Sequence, residues 1–373
     1  MANKYGIKCL SALLAASLAF VFPYKVKAQS TLQVSAEACV LMEAESGKIL
    51  FEKAAGKRLP MASTTKIMTA LVALDKGDLQ KTVEIAPEAV GTEGSSMYLQ
   101  PGERLTLSDL LYGLMLQSAN DAAVAIAYEI AGGVDEFALL MNGYACRLGL
   151  ENTHFTNPHG LDCEEHYTTA SDLAKITREA MKNEKFCEIV STRSKTLSDG
   201  KRRVVNHNKL LATYDGAVGV KTGFTKRSGR CLVSSASRDG VTLIAVTLNA
   251  PNDWADHAKL LDFGFESLEH VCVAEPSTVS LDLPVVGGES SSVRLSNRDF
   301  FSVTLPRGKR VVTRIEADRY FPAPVSEGDA LARAVFYVDG EEIGSVPLFA
   351  ERSVAESEDD PSLFERILRF FGR

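Results

Sequence analysis

Pro60-Met61-Ala62-Ser63-Thr64-Thr65-Lys66-Ile67-Met68-Thr69-Ala70 is the stretch on which the reading of this chain turns. From 63 to 75 the pattern is helical: Ile67, Ala70, Leu71 and Leu74 recur at helical spacing, and Gly77 is a stop signal. Ser63 therefore stands at a helix start, near unpaired N–H groups and the positive end of the helix, which favour negative charge developing on its oxygen. Lys66 lies one turn on and shares its face. A neutral lysine amine within hydrogen-bond reach of a serine hydroxyl can take its proton and create a nucleophile without histidine. Taken alone, Ser-x-x-Lys recurs by chance, and an ordinary helix start reads the same way.

Two further short patterns follow in order, Ser118-Ala119-Asn120 and Lys221-Thr222-Gly223. Thr106 caps a helix that the pattern carries through Met115, with Asp109 three residues on in a capping-box arrangement, and the next helix runs over 121–131 until Gly132 and Gly133 end it. Ser118 and Asn120 fall in the break between them. A connection between two buried helices can point short polar side chains into a cleft; simple capping is the other reading. An apolar run over 218–223 leads into Lys-Thr-Gly, and the alternating runs 231–237 and 242–248 are joined by Arg238-Asp239-Gly240, a hairpin signal. A second hairpin reads over 36–53 with Gly47 in its turn, and further helices read over 135–148, 171–182 and 254–263. Strands at both ends of this region with helices between them predict an α/β (α+β) fold, an antiparallel sheet flanked by helices. Lys221, Thr222 and Gly223 then lie on an edge strand that can take an extended peptide by strand addition, the glycine letting its backbone come close.

The chain has 373 residues, 45% hydrophobic and 24% charged, enough for a large core and two domains. A net charge of -7 and the lack of a basic stripe argue against a nucleic-acid partner. Lys4 and Lys8 precede an apolar run over 10–22, and Val26-Lys27-Ala28 offers small residues for cleavage before Gln29, so 1–28 reads as a secretory signal peptide and the protein as exported. An uncleaved anchor is the alternative, although the run is short for a span of roughly 20 residues. Residues 29–273 then form the catalytic domain. Of the seven cysteines, Cys9 leaves with the signal; the other six are scattered and read as mostly buried free thiols, with one disulfide left open. His154, His159 and His166 share the 152–167 connector with Asp162 and Cys163, but without zinc-type helix spacing, and no metal site is predicted.

Past Ala274-Glu275-Pro276 the character changes, and 274–350 reads as a small β-sandwich domain of short alternating runs, a spacer or packing platform. Residues 351–373 combine an acidic linker with a segment whose Leu363, Phe364, Ile367, Leu368 and Phe371 share one helical face. About ten helical residues cover roughly 15 Å, half the hydrocarbon thickness of a bilayer. Such a helix cannot span, but it can lie in the interface with its arginines at the headgroups. Docking on the protein's own surface is the alternative.

With Phe155-Thr156-Asn157-Pro158-His159-Gly160-Leu161 and Asn206-x-Asn208-x-Leu210-Leu211 added, the three motifs make the chain resemble the serine-type D-alanyl-D-alanine carboxypeptidases of the low-molecular-mass penicillin-binding protein family. The resemblance covers nearly the whole chain beyond the signal, including the order of catalytic domain, β domain and amphipathic tail; soluble β-lactamases share the motifs but lack the last two. It implies that Ser63 attacks the penultimate D-Ala carbonyl of a peptidoglycan stem pentapeptide and that Lys66 is the acylation base. Ser118 and Asn120 relay protons and hold the substrate amide, Lys221 and Thr222 bind the terminal carboxylate, and the N–H groups of Ser63 and Phe224, flanking Gly223, form the oxyanion hole. It implies no metal and no organic cofactor, β-lactam antibiotics as acylating mimics, and a place at the outer face of the cytoplasmic membrane. A β-lactamase, a DD-endopeptidase, and a non-catalytic wall-binding or β-lactam-sensing protein are the alternatives. There are two departures. Phe224 stands where some members have histidine, and 249–256 reads Asn-Ala-Pro-Asn-Asp-Trp-Ala-Asp where an arginine often helps hold the carboxylate, leaving His207 or Lys259 as reserves.

Overall fold

The computed structural model describes residues 32–198 and 200–357. The signal reading for 1–28 and the amphipathic reading for 361–373 lie outside them. Among the described residues no helix is long and apolar enough to cross a membrane.

The N-terminal part of the described chain is organised on a five-stranded antiparallel sheet. Its strands are β1 (Ala38–Glu43) and β2 (Ile49–Lys53), then, after the two small ribbons β3 (Thr82–Glu84) with β4 (Arg104–Thr106) and β5 (Ser194–Thr196) with β6 (Arg203–Val205), β7 (Ala217–Thr225), β8 (Gly229–Arg238) and β9 (Val241–Leu248). The order β2-β1-β9-β8-β7 leaves β7, with its Lys-Thr-Gly, at one edge. Both expected hairpins form. Gly47 takes a positive φ in the first, and in the second Asp239 (φ 48°) and Gly240 (φ 79°) make the two-residue turn whose twist suits flanking strands. Every residue of β1 is buried. Alternation along the strands explains this: Val40, Met42, Ile244 and Val246 join the core formed with the helices, while Leu41 and Leu243 approach Gly264 of the closing helix.

The helices are α1 (Lys66–Lys76), α2 (Leu107–Tyr112), α3 (Asn120–Ala131), α4 (Val134–Arg147), α5 (Ala170–Ala180), α6 (Glu184–Ser191), the single turn α7 (Leu210–Thr213) and the closing α8 (Asp253–Ser267). Three local features differ from the sequence reading. Ser63 is not in the α-helix itself but in a 3₁₀ turn, Ala62–Thr65, that runs into α1. The helix capped by the Thr106/Asp109 box stops at Tyr112 and widens into a π-helical turn, Gly113–Gln117, because Ser118 leaves it in the left-handed conformation. Helix α6 is an element beyond those expected from the sequence, and Asn183 caps it by accepting from the N–H groups of Lys185 and Phe186. Among the described residues the six cysteines are free thiols, but only Cys39 and Cys231 are buried; Cys187 is intermediate and Cys146, Cys163 and Cys272 are exposed, because sequence position says nothing of depth.

Helix α8 leads directly into β10 (Leu268–Ala274), which pairs with β13 (Phe301–Pro306). A six-stranded sheet of order β14-β16-β17-β12-β11-β15 completes the C-terminal region, from β11 (Ser280–Val286), β12 (Ser292–Asn297), β14 (Val312–Ala317), β15 (Phe321–Pro322), β16 (Ala330–Val338) and β17 (Glu341–Ala350). Leu283, Val293, Leu295, Ala334, Phe336, Val346 and Leu348 form a core of their own. Phe301 stacks on Phe336 with ring centroids 4.8 Å apart, a contact that the bare Gly344 leaves room for.

Candidate active site

Ser63 is presented by a strained and braced turn. Ala62 holds φ 48°, a conformation that costs a non-glycine residue of order 1 kcal/mol or more, and it persists only because the surroundings over-determine it. The Thr64 hydroxyl donates to Met61 O at 2.6 Å and the Thr65 hydroxyl to Ala62 O at 2.8 Å. His166 supports the turn from behind: its Nδ1 accepts from the N–H of Thr156 at 3.0 Å, which puts the proton on Nε2, 2.8 Å from Thr65 Oγ1. Burial pulls the His166 pKa down to about 4, so the ring is neutral near pH 7. Gly160 packs against Ala62 and Thr65 with φ +90°, and a methyl there would run into the Ala62 carbonyl. The three histidines of the 152–167 connector are thus engaged with protein groups: His154 with Glu165 O, His159 with the Leu161 N–H, His166 with the turn.

Lys66 is fully buried and its Nζ has three neighbours: Ser63 Oγ at 3.0 Å, Asn120 Oδ1 at 2.7 Å and His159 O at 2.6 Å. Burial lowers its pKa well below the ordinary lysine range, Lys221 lowers it further, and Asp121 opposes them. A neutral amine has two N–H donors and one lone pair. The carbonyl oxygens of Asn120 and His159 take the two donors, which leaves the lone pair to accept the Ser63 O–H. Asn120 cannot turn its amide over, because its Nδ2 donates to Glu93 O at 2.5 Å. Next to it, fully buried Asp121 accepts from Ser96 Oγ at 2.6 Å and from the N–H groups of Met97 and Leu99, pinning the loop that brings Ser95 to the cleft.

Ser118 sits at the end of the π-helical turn with φ 61° and ψ 31°, and only 6% of it is exposed. Lys221, 1% exposed, donates to Thr222 O at 3.1 Å, and burial lowers its pKa to about 7. Gly223 brings β7 against the Ser63 turn: an added Cβ would stand 3.1 Å from Ser63 N and 3.2 Å from Ala62 Cβ. Phe224 is 65% exposed at the mouth.

Ser63, Ser118, Thr222, Gly223 and Phe224 line one cleft of about 390 Å³, and Lys66 and Asn120 reach it through their hydrogen bonds to Ser63 and to each other. A larger cavity of about 540 Å³ lies among Arg238, Asp262, Phe265, His270 and Arg307, with no hydroxyl–base pair in it. The smaller cleft is the candidate active site on chemistry. The same cleft is lined at its far end by Arg230 and Lys209, which carry no sequence motif, together with His207. Arg230 of β8 pairs with Phe224 across the ladder, and its Nε and Nη2 donate to the two carboxylate oxygens of Asp253, each at 2.9 Å. Trp254, His207 and Lys209 complete this end. An arginine thus lines the cleft from β8, although none occurs in 249–256. Only the β7–β8 register could have located it. The Asn206 and Asn208 motif shapes the segment bearing His207 and Lys209: Asn206 Oδ1 accepts from Asn208 N at 2.9 Å, and Asn208 Oδ1 from Leu210 N at 3.1 Å.

Residues 25–252 match the family model described as D-alanyl-D-alanine carboxypeptidase, and residues 269–356 match that of the penicillin-binding protein 5 C-terminal domain. Among curated relatives, D-alanyl-D-alanine carboxypeptidase DacF of Bacillus subtilis is 35% identical over 89% of this chain and 89% of its own length. DacC of Escherichia coli is 35% identical over 92% of each. Among solved structures, penicillin binding protein 5 from Haemophilus influenzae superposes with a TM-score of 0.65 at 33% identity, covering 87% of this chain and 98% of that one.

The packing behind Ser63 makes a paired prediction. Gly160→Ala, which places a methyl on the Ala62 carbonyl at a left-handed φ, should destabilise the protein by about 2 to 4 kcal/mol. Gly143→Ala, on the exposed face of α4 with nothing within 4 Å, should be neutral or stabilising by up to about 1 kcal/mol. Urea unfolding of both variants checks this; equal effects would show that Gly160 is not the constraint.

Proposed function

The chain belongs to the D-alanyl-D-alanine carboxypeptidase family, and from that premise we propose that it removes the terminal D-Ala from peptidoglycan stem peptides through an acyl-enzyme on Ser63. The observation that carries the residue assignment is the buried Lys66 amine, 3.0 Å from Ser63 Oγ with its two N–H donors already engaged. Ser63 Oγ attacks the penultimate D-Ala carbonyl while Lys66 accepts its proton. The oxyanion forms between the N–H groups of Ser63 and Phe224. As the peptide C–N bond breaks, the departing D-Ala nitrogen takes a proton from Lys66 by way of Ser118. Water, deprotonated by the same amine, then cleaves the ester and frees Ser63. Lys221 and the Thr222 hydroxyl hold the departing carboxylate, and Asn120 orients the substrate amide. No step calls on a metal or an organic cofactor.

Penicillin acylates the same serine. Opening the four-membered ring makes the ester, but the leaving nitrogen stays tethered and blocks the approach of water. Such a substrate is consistent with work in the cell-wall compartment, and the sequence spacing of Leu363, Phe364, Ile367, Leu368 and Phe371, with arginines among them, supports attachment to the outer surface of the cytoplasmic membrane.

Three measurements test this reading. Mass spectrometry after penicillin treatment should show one adduct, absent in Ser63→Ala, which also releases no D-Ala from a pentapeptide; an adduct that survives the substitution overturns the assignment. The second is pH dependence. Lys66 serves as base only when uncharged, so acylation rises as pH climbs through its depressed pKa. Lys221 holds a carboxylate only when charged, so in the free enzyme this binding is lost as pH climbs through about 7. kcat/KM for a free-acid peptide should therefore be bell-shaped, while that for the matching C-terminal amide rises to a plateau. Identical profiles would mean that Lys221 does not read the carboxylate. Third, deleting 361–373 should release the mature protein from anionic vesicles with peptide hydrolysis intact; a truncated protein that still sediments with them removes the membrane reading.

A further inference from the structure

The cleft does not end at the Lys-Thr-Gly strand. Past Arg230 it continues into an adjoining hollow of about 410 Å³, and the two share Lys209, Arg230, Asp253 and Trp254. The charges there are unequal. Arg230 and buried Asp253 satisfy each other in a two-pronged pair, both contacts at 2.9 Å, and so sum to zero. Lys209 stands exposed at the rim, with no carboxylate partner among the described residues. The net character of this end is one positive charge beside a half-buried indole, which favours an anionic group on a short apolar stem.

A peptide with its scissile carbonyl on Ser63 and its terminal carboxylate at Thr222 has its departing residue alongside Arg230. That residue's side chain then has the hollow to enter. A methyl group fills little of it. Resting on the carboxypeptidase reading, we propose that this hollow is a subsite for the side chain of the departing residue, and that it favours an acidic D-amino acid, the carbon stem against Trp254 and the side-chain carboxylate at Lys209. The chemistry is unchanged: the C–N bond breaks, the departing nitrogen takes the proton, and water then frees Ser63. What changes is which residue leaves.

The test uses three otherwise identical peptides ending D-Ala-D-Ala, D-Ala-D-Glu and D-Ala-D-Lys, with kcat/KM measured for the full mature enzyme and for Lys209→Glu. The last two peptides both carry an α-carboxylate and a long side chain and differ in side-chain charge. The wild type should prefer D-Glu over D-Lys by about fivefold, the size of one partly exposed charge pair, and mainly through KM. Lys209→Glu, a substitution on an exposed side chain, should reverse that order. If the wild type cleaves D-Ala-D-Ala but shows no preference between the other two, or one that Lys209→Glu leaves in place, the subsite is overturned and the carboxypeptidase reading stands. If the wild type releases no D-Ala at all, both fall.

Discussion

A primary amine taken wholly out of water controls this active site. Charged, Lys66 would donate to all three of its neighbours and leave the Ser63 hydroxyl no acceptor; uncharged, it donates twice, to Asn120 and His159, and offers Ser63 a lone pair. Burial tips the balance toward the uncharged form, and buried Lys221 adds to it. Each partner comes from a different piece of chain: the 3₁₀ turn, the first residue of α3, and the 152–167 connector. The base is therefore only as well made as the helical core that brings those pieces together.

That core also sustains conformations the local chain would avoid. Ala62 and Ser118 both hold positive φ, each costing about 1 to 3 kcal/mol, and both carry the chain into the cleft. Gly160 and Gly223 permit the connector and β7 to close on the serine turn from two sides. Asp121, buried among the N–H groups of the 97–99 segment, ties the loop beneath Asn120 to the start of α3. Such features cluster where a rigid surround can over-determine them, and the surround here consists of tightly packed apolar side chains from α1, α3 and α5 and the sheet.

The cationic groups in the cleft divide by how they hold their charge. Burial makes Lys221 titratable near neutrality. Arg230 is oriented by Asp253, while Lys209 contributes an exposed charge at the rim. No residue of the C-terminal β region lines the cleft. Its core is separate, and its connection to the catalytic chemistry runs through α8, whose first turn supplies Asp253 and Trp254 to the cleft.

By itself the sequence was enough for both hairpins, for most of the longer helices and for the three motifs, because each is local: a turn pair such as Asp239-Gly240 or a serine one helical turn from a lysine needs no distant partner to be recognised. It was enough, too, to place Lys-Thr-Gly on an outer strand, since strands at both ends of a helical stretch leave few ways to close a sheet. It could not show that Ser63 rides a 3₁₀ turn rather than the helix, that the second helix opens into a π turn to swing Ser118 inward, or that His166 braces the serine turn. Nor could it pair Arg230 with Asp253, which meet only when β8, β9 and the start of α8 are folded together. Those outcomes depend on contacts between segments far apart in the chain, and on the loss of water around Lys66 and Lys221. A lysine's ability to act as a base is a property of its burial, which only the folded chain creates.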